Sequence, residues 1–372
     1  MACRDSQPQK VAINNVRVFD GKSVGTPTTI HIDNGLISEA TDGADVFDGE
    51  NGILMPGFID AHIHLCTEAE QRDMARYGVT TALDMATWSQ STIDSLRGLT
   101  GVTDFKTAGK AATSLGSIHS AILPVPAEYR LAENVDYIKI VADIPGPDQA
   151  VMDAVVIEAH KMGKLVVAHA ADYHPFKMAQ DAGVDIVTHC PCDQALNDED
   201  CARMVEDGRI CVPTLTMMEA TTGASALPAL LKMFSRPWVI LDIVKAKRNA
   251  PRTGKREYKN ARESVVALHR NGVTIIAGTD AHKEDSSPFT VKHGDSLHHE
   301  FELLVDAGLS TVEVLQAASL LPAKHFGLTD RGTIEIGKRA DLVLLDADPI
   351  EDIRHTRSIK KVWCAGVEVD MT

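Results

Sequence analysis

The sequence predicts an α/β fold, with a (β/α)8 barrel joined to a small β-sandwich that is formed by both ends of the chain. Three observations support this prediction. The chain has 372 residues, enough for one large barrel and a small second domain. In its middle, apolar runs of five to eight residues alternate with helical stretches, which is typical of repeated βα units. Short β-rich runs and turn residues dominate both ends.

The N-terminal region has the pattern of β-hairpins. Val11 to Val18 and Thr28 to Ile32 are predicted strands, and the turn clusters Asp20-Gly21 and Asp33-Asn34-Gly35 are typical of tight hairpin connections. The alternation of strand and turn continues to about residue 55, so this part of the chain is predicted to be all β.

The C-terminal region returns to short strands, at Asp341–Leu345 and Ile359–Cys364. The simplest interpretation is that the two ends meet. We therefore predict one β-sandwich domain from residues 1–55 and 332–372, beside a barrel domain of residues 56–331.

The middle of the chain contains eight predicted barrel strands. They are Leu54–Leu65, Val79–Met85, Lys106–Ala112, Tyr137–Ala142, Lys164–Ala170, Asp185–Cys190, Arg209–Pro213 and Thr274–Asp280. Two helical segments follow, Leu297–Ala307 and Ser310–His325, the second with Ser310 as its N-cap. Eight parallel strands with helical connections predict a closed barrel, whose active sites lie at the carboxyl ends of the strands.

Composition and charge exclude several classes of protein. With 37 Lys and Arg against 52 Asp and Glu the formal charge is −15, so we expect no nucleic-acid partner. No window of about eighteen apolar residues is free of charge, and the first residues lack the apolar core of a signal peptide, so no membrane association is expected. Seven cysteines match no disulfide framework and indicate reduced thiols. Together these features predict a cytoplasmic protein.

Five of the predicted strands carry side chains that can bind metal ions near their carboxyl ends. These are His62 and His64 on the first strand, Lys139 on the fourth, His169 on the fifth, His189 on the sixth and Asp280 on the eighth. Taken singly, each has an ordinary structural explanation, such as a core histidine or a turn carboxylate. Their common position at one end of a barrel favours a metal site instead, and so many ligands suit a pair of divalent ions such as zinc.

Lys139 is unusual because it lies between Ile138 and Ile140 on a strand whose alternation directs it into the barrel. Burial lowers the pKa of an amine. A neutral lysine can capture carbon dioxide as a carbamate, which would supply one anionic oxygen to each of two metal ions. The alternative is a lysine at the strand end whose amine reaches water.

Several motifs together resemble the amidohydrolase superfamily, in particular the binuclear-metal branch of Xaa-Pro dipeptidase-like, ochratoxinase-like and imidazolonepropionase-related hydrolases. The motifs are Pro56-Gly-Phe-Ile-Asp60-Ala-His62-Ile-His64, the Lys139 strand, Ala168-His169-Ala170, Thr188-His189, Gly278-Thr-Asp280-Ala and Gly332-Thr-Ile-Glu-Ile-Gly337-Lys-Arg-Ala-Asp341-Leu-Val. The resemblance covers nearly the whole chain. It implies that His62, His64 and Asp280 hold one metal ion, that His169 and His189 hold a second, and that carboxylated Lys139 bridges both.

The resemblance also implies a reaction, the hydrolysis of an amide or peptide-like C–N bond in a small molecule by a metal-bridged hydroxide. Asp280 would take the proton of the attacking hydroxide and deliver it to the departing nitrogen. His119, just after the third strand, is the candidate for stabilising the oxyanion. Relatives are often oligomeric, so a homo-oligomer is expected.

Candidate substrate contacts lie in the loops around the predicted site. Tyr173 and His174 follow the fifth strand, in a run that departs from the dipeptidase pattern, and His282, Lys283 and His293 lie in the loop after Asp280. The segment from Met217 to about Lys255 could be a lid over an apolar pocket or ordinary helix packing. Cys190, beside His189, could place a thiol near the second metal or simply pack in the core.

Two other functions remain open. One is a mononuclear deaminase or cyclic-amide hydrolase. Such deaminases commonly carry a glutamate three residues beyond the fifth-strand histidine, where this chain has Asp172, and they do not need the barrel lysine. The other is a non-hydrolytic descendant such as a decarboxylase, because the fold and site type do not by themselves define the reaction.

Overall fold

The computed structural model describes residues 10–40, 42–65, 67–87, 89–113, 135–144, 146–223, 254–283 and 290–372. Within these ranges the chain forms an α/β fold of the TIM-barrel type beside a mixed β-sheet. None of the helices in these ranges combines the length and apolar character needed to cross a bilayer.

The strands, in chain order, are β1 (Val11–Phe19), β2 (Val24–Asp33), β3 (Leu36–Ser38), β4 (Asp45–Asp48), β5 (Ile53–Pro56), β6 (Phe58–Ile63), β7 (Val79–Asp84), β8 (Asp104–Thr107), β9 (Ile138–Val141), β10 (Val166–His169), β11 (Ile186–Thr188), β12 (Ile210–Val212), β13 (Thr274–Ile275), β14 (Leu342–Leu345), β15 (Ile359–Cys364) and β16 (Val367–Glu368). The helices are α1 (Glu68–Arg76), α2 (Gln90–Leu96), α3 (Gln149–Lys161), α4 (Tyr173–Ala182), α5 (Asp198–Glu206), α6 (Leu215–Gly223), α7 (Tyr258–Arg270), α8 (Asp295–Asp306), α9 (Thr311–Ala317) and α10 (Leu320–His325), and Ile353–Arg357 forms a 3-10 helix.

Both ends of the chain contribute to one mixed sheet of eight strands, in the order β16-β15-β14-β5-β1-β2-β3, with β4 also paired to β1. The predicted hairpin turn lies between β2 and β3, where Asn34 and Gly35 have φ of 51° and 81°. Two such residues define the tight turn that matches the twist of a hairpin. The two-layer packing of a sandwich and the predicted domain limits stay predictions.

The first predicted strand, Leu54–Leu65, is wrong as a single element. The chain leaves the terminal sheet at the end of β5 and enters the barrel at Phe58, so Gly57 lies at the junction. A Cβ at Gly57 would lie 2.0 Å from Thr80 Oγ1, so only glycine fits there. The continuous apolar run concealed this change of sheet, because both strands are buried.

The barrel strands form two parallel sheets that follow chain order. One contains β6, β7 and β8, and the other runs from β9 to β13. Isolated bridges join the two sheets at both edges, between Ile63 and Ala281 and between Ala112 and Ile140. Regular strand pairing is therefore interrupted at two places around the ring. The described strands form a TIM-barrel-like arrangement, but not the fully closed barrel that the sequence predicted.

The third predicted strand, Lys106–Ala112, is shifted relative to the structure. Regular pairing covers β8 only, and Gly109, with φ of 61°, ends the extended conformation. The segment predicted as helical from Ser310 to His325 is divided into α9 and α10. Pro322 explains the division, because it has no N–H to donate to the carbonyl four residues earlier and is tolerated only in the first turn of α10. Ser310 is the N-cap of α9, as predicted.

The core has separate apolar layers, which alternate along the strands. Ile59, Ala61 and Val167 belong to a cluster inside the barrel, whereas Phe58 and Val166 belong to the larger cluster between the strands and the helices. The carboxyl ends of the barrel strands rise above the inner cluster, and they carry the polar residues described next.

Candidate metal centre

The predicted first ligand group, His62, His64 and Asp280, comes together at the carboxyl end of the barrel. Asp280 Oδ1 lies 3.3 Å from His62 Nε2 and 3.0 Å from His64 Nε2. Burial opposes ionisation of Asp280, but the two imidazoles hold the pKa of its carboxyl well below the usual range. Burial and the nearby Lys139 ammonium lower the pKa of His62 to about 3. A neutral imidazole and a carboxylate are the forms in which these side chains bind metals.

The predicted second histidine pair lies beside the first group. The ring centroids of His62 and His189 are 4.8 Å apart, and those of His169 and His189 are 4.4 Å apart. One ligand atom from each of His62, His189 and Asp280 lies within 4.8 Å of the others, and all three residues are buried. The four imidazoles and the carboxylate therefore form one continuous group.

Lys139 is buried beside this group, with 3% of its surface exposed. Its Nζ donates to Thr188 Oγ1 at 2.8 Å, and that hydroxyl donates to the carbonyl of Ala168. Burial lowers the pKa of Lys139 to about 7, although the negative charge of Asp280 acts in the opposite direction. A substantial neutral fraction at neutral pH is what carbamate formation requires.

The backbone is unusual where the last three barrel strands end. His189, Thr214 and Asp280 have φ of 76°, 49° and 61°, in the left-handed region that non-glycine residues rarely adopt. Such conformations persist only where surrounding contacts enforce them, and they concentrate at functional sites. Two of the three residues are predicted metal ligands.

Asp60 supports the first ligand group through the main chain. Its Oδ1 accepts from the backbone N–H groups of His62 and Thr279, both at 3.1 Å, and its Oδ2 accepts from the Thr279 hydroxyl at 2.7 Å. Burial raises the pKa of Asp60 to about 7. The carboxylate joins the His62 strand to the loop that carries Asp280.

Two of the predicted substrate residues also contact the main chain of predicted ligands. His282 Nδ1 lies 2.8 Å from the carbonyl oxygen of Asp280, and His293 Nε2 lies 3.0 Å from that of His64. Lys283 is exposed next to His282. These positions surround the first ligand group, and a role in substrate binding stays a prediction.

Tyr173 and His174 begin helix α4, after the fifth barrel strand. The Tyr173 hydroxyl donates to Asp200 Oδ2 at 2.8 Å, and Lys177 contacts the other oxygen of this carboxylate at 2.5 Å. Tyr173 therefore uses its hydroxyl in a contact with helix α5, and its predicted contact with substrate, like that of His174, stays a prediction.

Two sequence hypotheses fall wholly or partly outside the described residues. His119 lies outside them. Of the predicted lid, Met217 and Met218 are described and belong to the core between strands and helices, which favours packing for this part, and residues 224–253 lie outside. Cys190 is also a core residue, with its Sγ 3.8 Å from that of Cys211.

Sequence reasoning missed two threonine hydroxyls that contact His189 and Lys139. Thr214 Oγ1 lies 2.7 Å from His189 Nδ1, and Thr188 Oγ1 accepts from Lys139. The only available signal was the place of Thr188 directly before His189. Thr214 carries none, because its partner is 25 residues away in sequence.

Comparisons with known proteins identify the family to which the chain is similar. Residues 53–369 match the model of the amidohydrolase family. An adenine deaminase of Cereibacter sphaeroides is 28% identical over 92% of this chain and 56% of its own length, so the chain spans about half of that relative.

Two solved structures share the fold. A Xaa-Pro dipeptidase with bound methionine has a TM-score of 0.75 and 23% identity, covering 97% of this chain and 99% of its own. The ochratoxinase of A. niger has a TM-score of 0.71 and 16% identity, covering 98% and 96%. The resemblance seen in the motifs is therefore confirmed at the level of the superfamily. Because the family model matches residues 53–369, well over half of the chain, this chain belongs to the amidohydrolase family.

Proposed function

We propose that the chain is a metal-dependent hydrolase that cleaves an amide or peptide-like C–N bond in a small molecule, with two divalent ions at its centre. The observation that carries the proposal is the approach of the His62, His189 and Asp280 ligand atoms to within 4.8 Å of one another, with Lys139 buried alongside. Membership of the amidohydrolase family supports the same reaction class.

The donor atoms fit ions of the zinc type. Imidazole nitrogen and carboxylate oxygen are preferred zinc ligands, and ligand atoms about 2.0–2.1 Å from a tetrahedral ion lie roughly 3.3 Å apart. The separations of 3.3 Å and 3.0 Å from Asp280 Oδ1 to His62 and His64 Nε2 agree with that value. His62, His64 and Asp280 would hold one ion, and His169 and His189 the second.

Lys139 would complete the centre. Its neutral amine adds to carbon dioxide and loses a proton, which gives an anionic carbamate with two oxygens. The carbamate would supply the negative charge that the neighbouring imidazoles lack. The Thr188 hydroxyl, which contacts Nζ in the unmodified residue, would hold the lysine chain in place.

The two ions, when bound, supply a water whose pKa is lowered toward neutrality and polarise the substrate carbonyl. Asp280 is suited to move the proton, because its carboxylate lies directly beside the imidazoles of His62 and His64. With Oδ1 directed at His62 and His64, Oδ2 would take the proton of the attacking water and deliver it to the leaving nitrogen. The products are a carboxylate and an amine.

A deaminase is the second candidate, because the curated relatives that match most of this chain are named adenine deaminase. Asp172 is three residues beyond His169, where such enzymes commonly carry a proton-shuttling glutamate. Here its carboxylate pairs with Arg256. This ion pair lies between partly exposed side chains and engages Oδ1 of the Asp172 carboxylate.

A substrate panel distinguishes the candidates. Metal-loaded protein is given N-acyl amino acids, Xaa-Pro dipeptides and adenine, and products are followed by NMR and ammonia release. We expect a new carboxylate and amine from at least one amide, abolished by exhaustive chelation and restored by zinc. Ammonia from adenine with no amide cleavage would establish the second candidate, and amide cleavage undiminished by chelation would overturn the metal mechanism.

A further inference from the structure

We propose that Glu300 is a positioning residue for the second ligand group, defined as Lys139, His169 and His189. Its carboxylate holds the turn from which Thr214 orients the His189 imidazole. The inference rests on the proposed function, because it takes His189 as a metal ligand.

Glu300 lies on helix α8 and is completely buried. Its two carboxylate oxygens accept from the backbone N–H of Leu215 at 2.9 Å, and from the backbone N–H and hydroxyl of Thr216 at 2.7 and 2.9 Å. Leu215 and Thr216 form the first turn of helix α6. Their N–H groups have no partner within their own helix, so Glu300 supplies the cap from an element 84 or 85 residues away.

Thr214 directly precedes this capped turn and needs the support that the turn gives. A β-branched residue at φ of 49° is a conformational outlier. Its carbonyl oxygen accepts from the N–H groups of Met217 and Met218, at 3.0 and 3.1 Å, so its backbone is continuous with α6. Because Glu300 fixes the first two residues of that helix, it also determines where the Thr214 side chain points.

The Thr214 hydroxyl reaches His189 Nδ1 at 2.7 Å. If His189 binds a metal ion through Nε2, its Nδ1 carries the proton and donates to this hydroxyl. A partner on the second nitrogen sets the tautomer and the ring orientation of a ligating histidine. The contacts thus run from Glu300 to the first turn of α6, to Thr214 and to His189.

A cap that served only stability would give a different result from a positioning residue. Loss of a mere cap lowers the unfolding temperature and leaves the metal centre of the folded protein unchanged. Loss of a positioning residue also weakens the binding of one of the two metal ions and lowers kcat more than it raises KM. Metal affinity, measured site by site, is therefore the deciding quantity.

The test uses the full chain loaded with Co²⁺, whose absorption spectrum reports ligand geometry, titrated against a chelator. Glu300→Ala and Thr214→Val are each expected to weaken the binding of one of the two Co²⁺ ions by about 10- to 100-fold and to alter the absorption spectrum of that ion. Glu300→Gln keeps one acceptor oxygen and should fall between Glu300→Ala and wild type. The Glu300→Ala, Thr214→Val double variant should lose little more than either single variant, because both act on one imidazole.

Asp341→Asn is the matched control. Asp341 is a buried carboxylate that accepts from the backbone N–H of Ala365 at 2.7 Å, but it belongs to the terminal sheet region. It should lower stability and leave both ions unaffected. The inference is overturned if Glu300→Gln and Thr214→Val bind two ions as tightly as wild type. Failure of the wild-type protein itself to bind metal would instead reject the proposed function, before any variant is compared.

Discussion

The two ligand groups of the candidate centre are built differently, although both lie at the carboxyl ends of barrel strands. In the first group, His62, His64 and Asp280, a carboxylate lies among the imidazoles, 3.0 and 3.3 Å from their nitrogens. Negative charge is thus present in the group itself. A second carboxylate, Asp60, joins the strand and loop that carry these residues.

The second group, Lys139, His169 and His189, contains imidazoles and an amine but no carboxylate. Among its contacts are the hydroxyls of Thr188 and Thr214. Neutral ligands alone compensate a divalent cation poorly, since buried charge requires a partner of opposite sign. Under the proposed function, the second group would depend on a charge acquired after folding, which carboxylation of Lys139 would provide.

The largest effect is expected for Lys139→Ala, which under the proposed function would remove the carbamate charge from the second group. We expect one metal ion per chain instead of two and a loss of activity of roughly 10³-fold or more. Metal analysis and kcat measure this, and added short carboxylic acids should restore part of the activity. Lys164→Ala is the control. Lys164 lies just before β10, at the end of that strand opposite His169, and its Nζ donates to the backbone carbonyl of Val135. Two bound ions and full activity in Lys139→Ala would refute the proposed difference between the two ligand groups.

The next effect concerns the support of the first group. Asp60→Ala removes the acceptor for the N–H groups of His62 and Thr279, so the strand and the Asp280 loop lose their common tie. We expect about 10- to 100-fold weaker binding of one ion, measured by chelator competition. Asp185→Ala is matched, because Asp185 also accepts a strand N–H, that of Val166, but at the amino end of β10. Equal weakening in both variants would show a general loss of stability.

The third expected effect, of intermediate size, is on the free energy of unfolding at acid pH. It separates the surroundings of the first ligand group from those of the second. His298 packs edge-on against Phe58, at the start of the His62 strand, and its nitrogens contact Tyr77 and Thr356. Burial lowers the pKa of His298 to about 4. Behind the second group lie thiols such as Cys190, whose pKa burial raises well above 9.

The sign follows from proton linkage. Below about pH 6.5 the unfolded chain protonates this histidine, whereas the native state does not until about pH 4. The free energy of unfolding should therefore fall by about 2 kcal/mol between pH 7 and pH 5 from this residue alone. Urea unfolding of the wild type and of His298→Gln at both pH values measures it. An equal pH dependence in the variant would contradict the assignment to His298.

The smallest effect is expected for Cys190→Ala. Cys190 is fully buried in the core next to Cys211, on the side of the strands that faces the helices. Removing the sulfur should cost about 1 kcal/mol of stability and leave the number of bound ions at the wild-type value. Denaturant unfolding and metal analysis check both expectations. Loss of an ion would place the thiol in the centre, as the alternative sequence hypothesis held.

Much of the fold followed from local pattern. Apolar runs located the barrel strands, and Ser310 located a helix start as its N-cap, to which the structure adds a capping box with Glu313. Asn34-Gly35 located a hairpin. These signals are local because strand alternation, capping and turn geometry involve residues a few positions apart. The change of sheet at Gly57 was missed, since two buried strands in succession look like one.

By itself, the sequence determined which side chains stand at the carboxyl ends of the strands, and hence the candidate ligands His62, His64, Lys139, His169, His189 and Asp280. Only the tertiary structure decided how they are held. It brought Thr214 to His189 and Glu300 to Leu215, and it imposed left-handed backbone at His189 and Asp280. These contacts depend on how separate helices and strands pack against one another, and that packing is a property of the whole chain rather than of any local pattern.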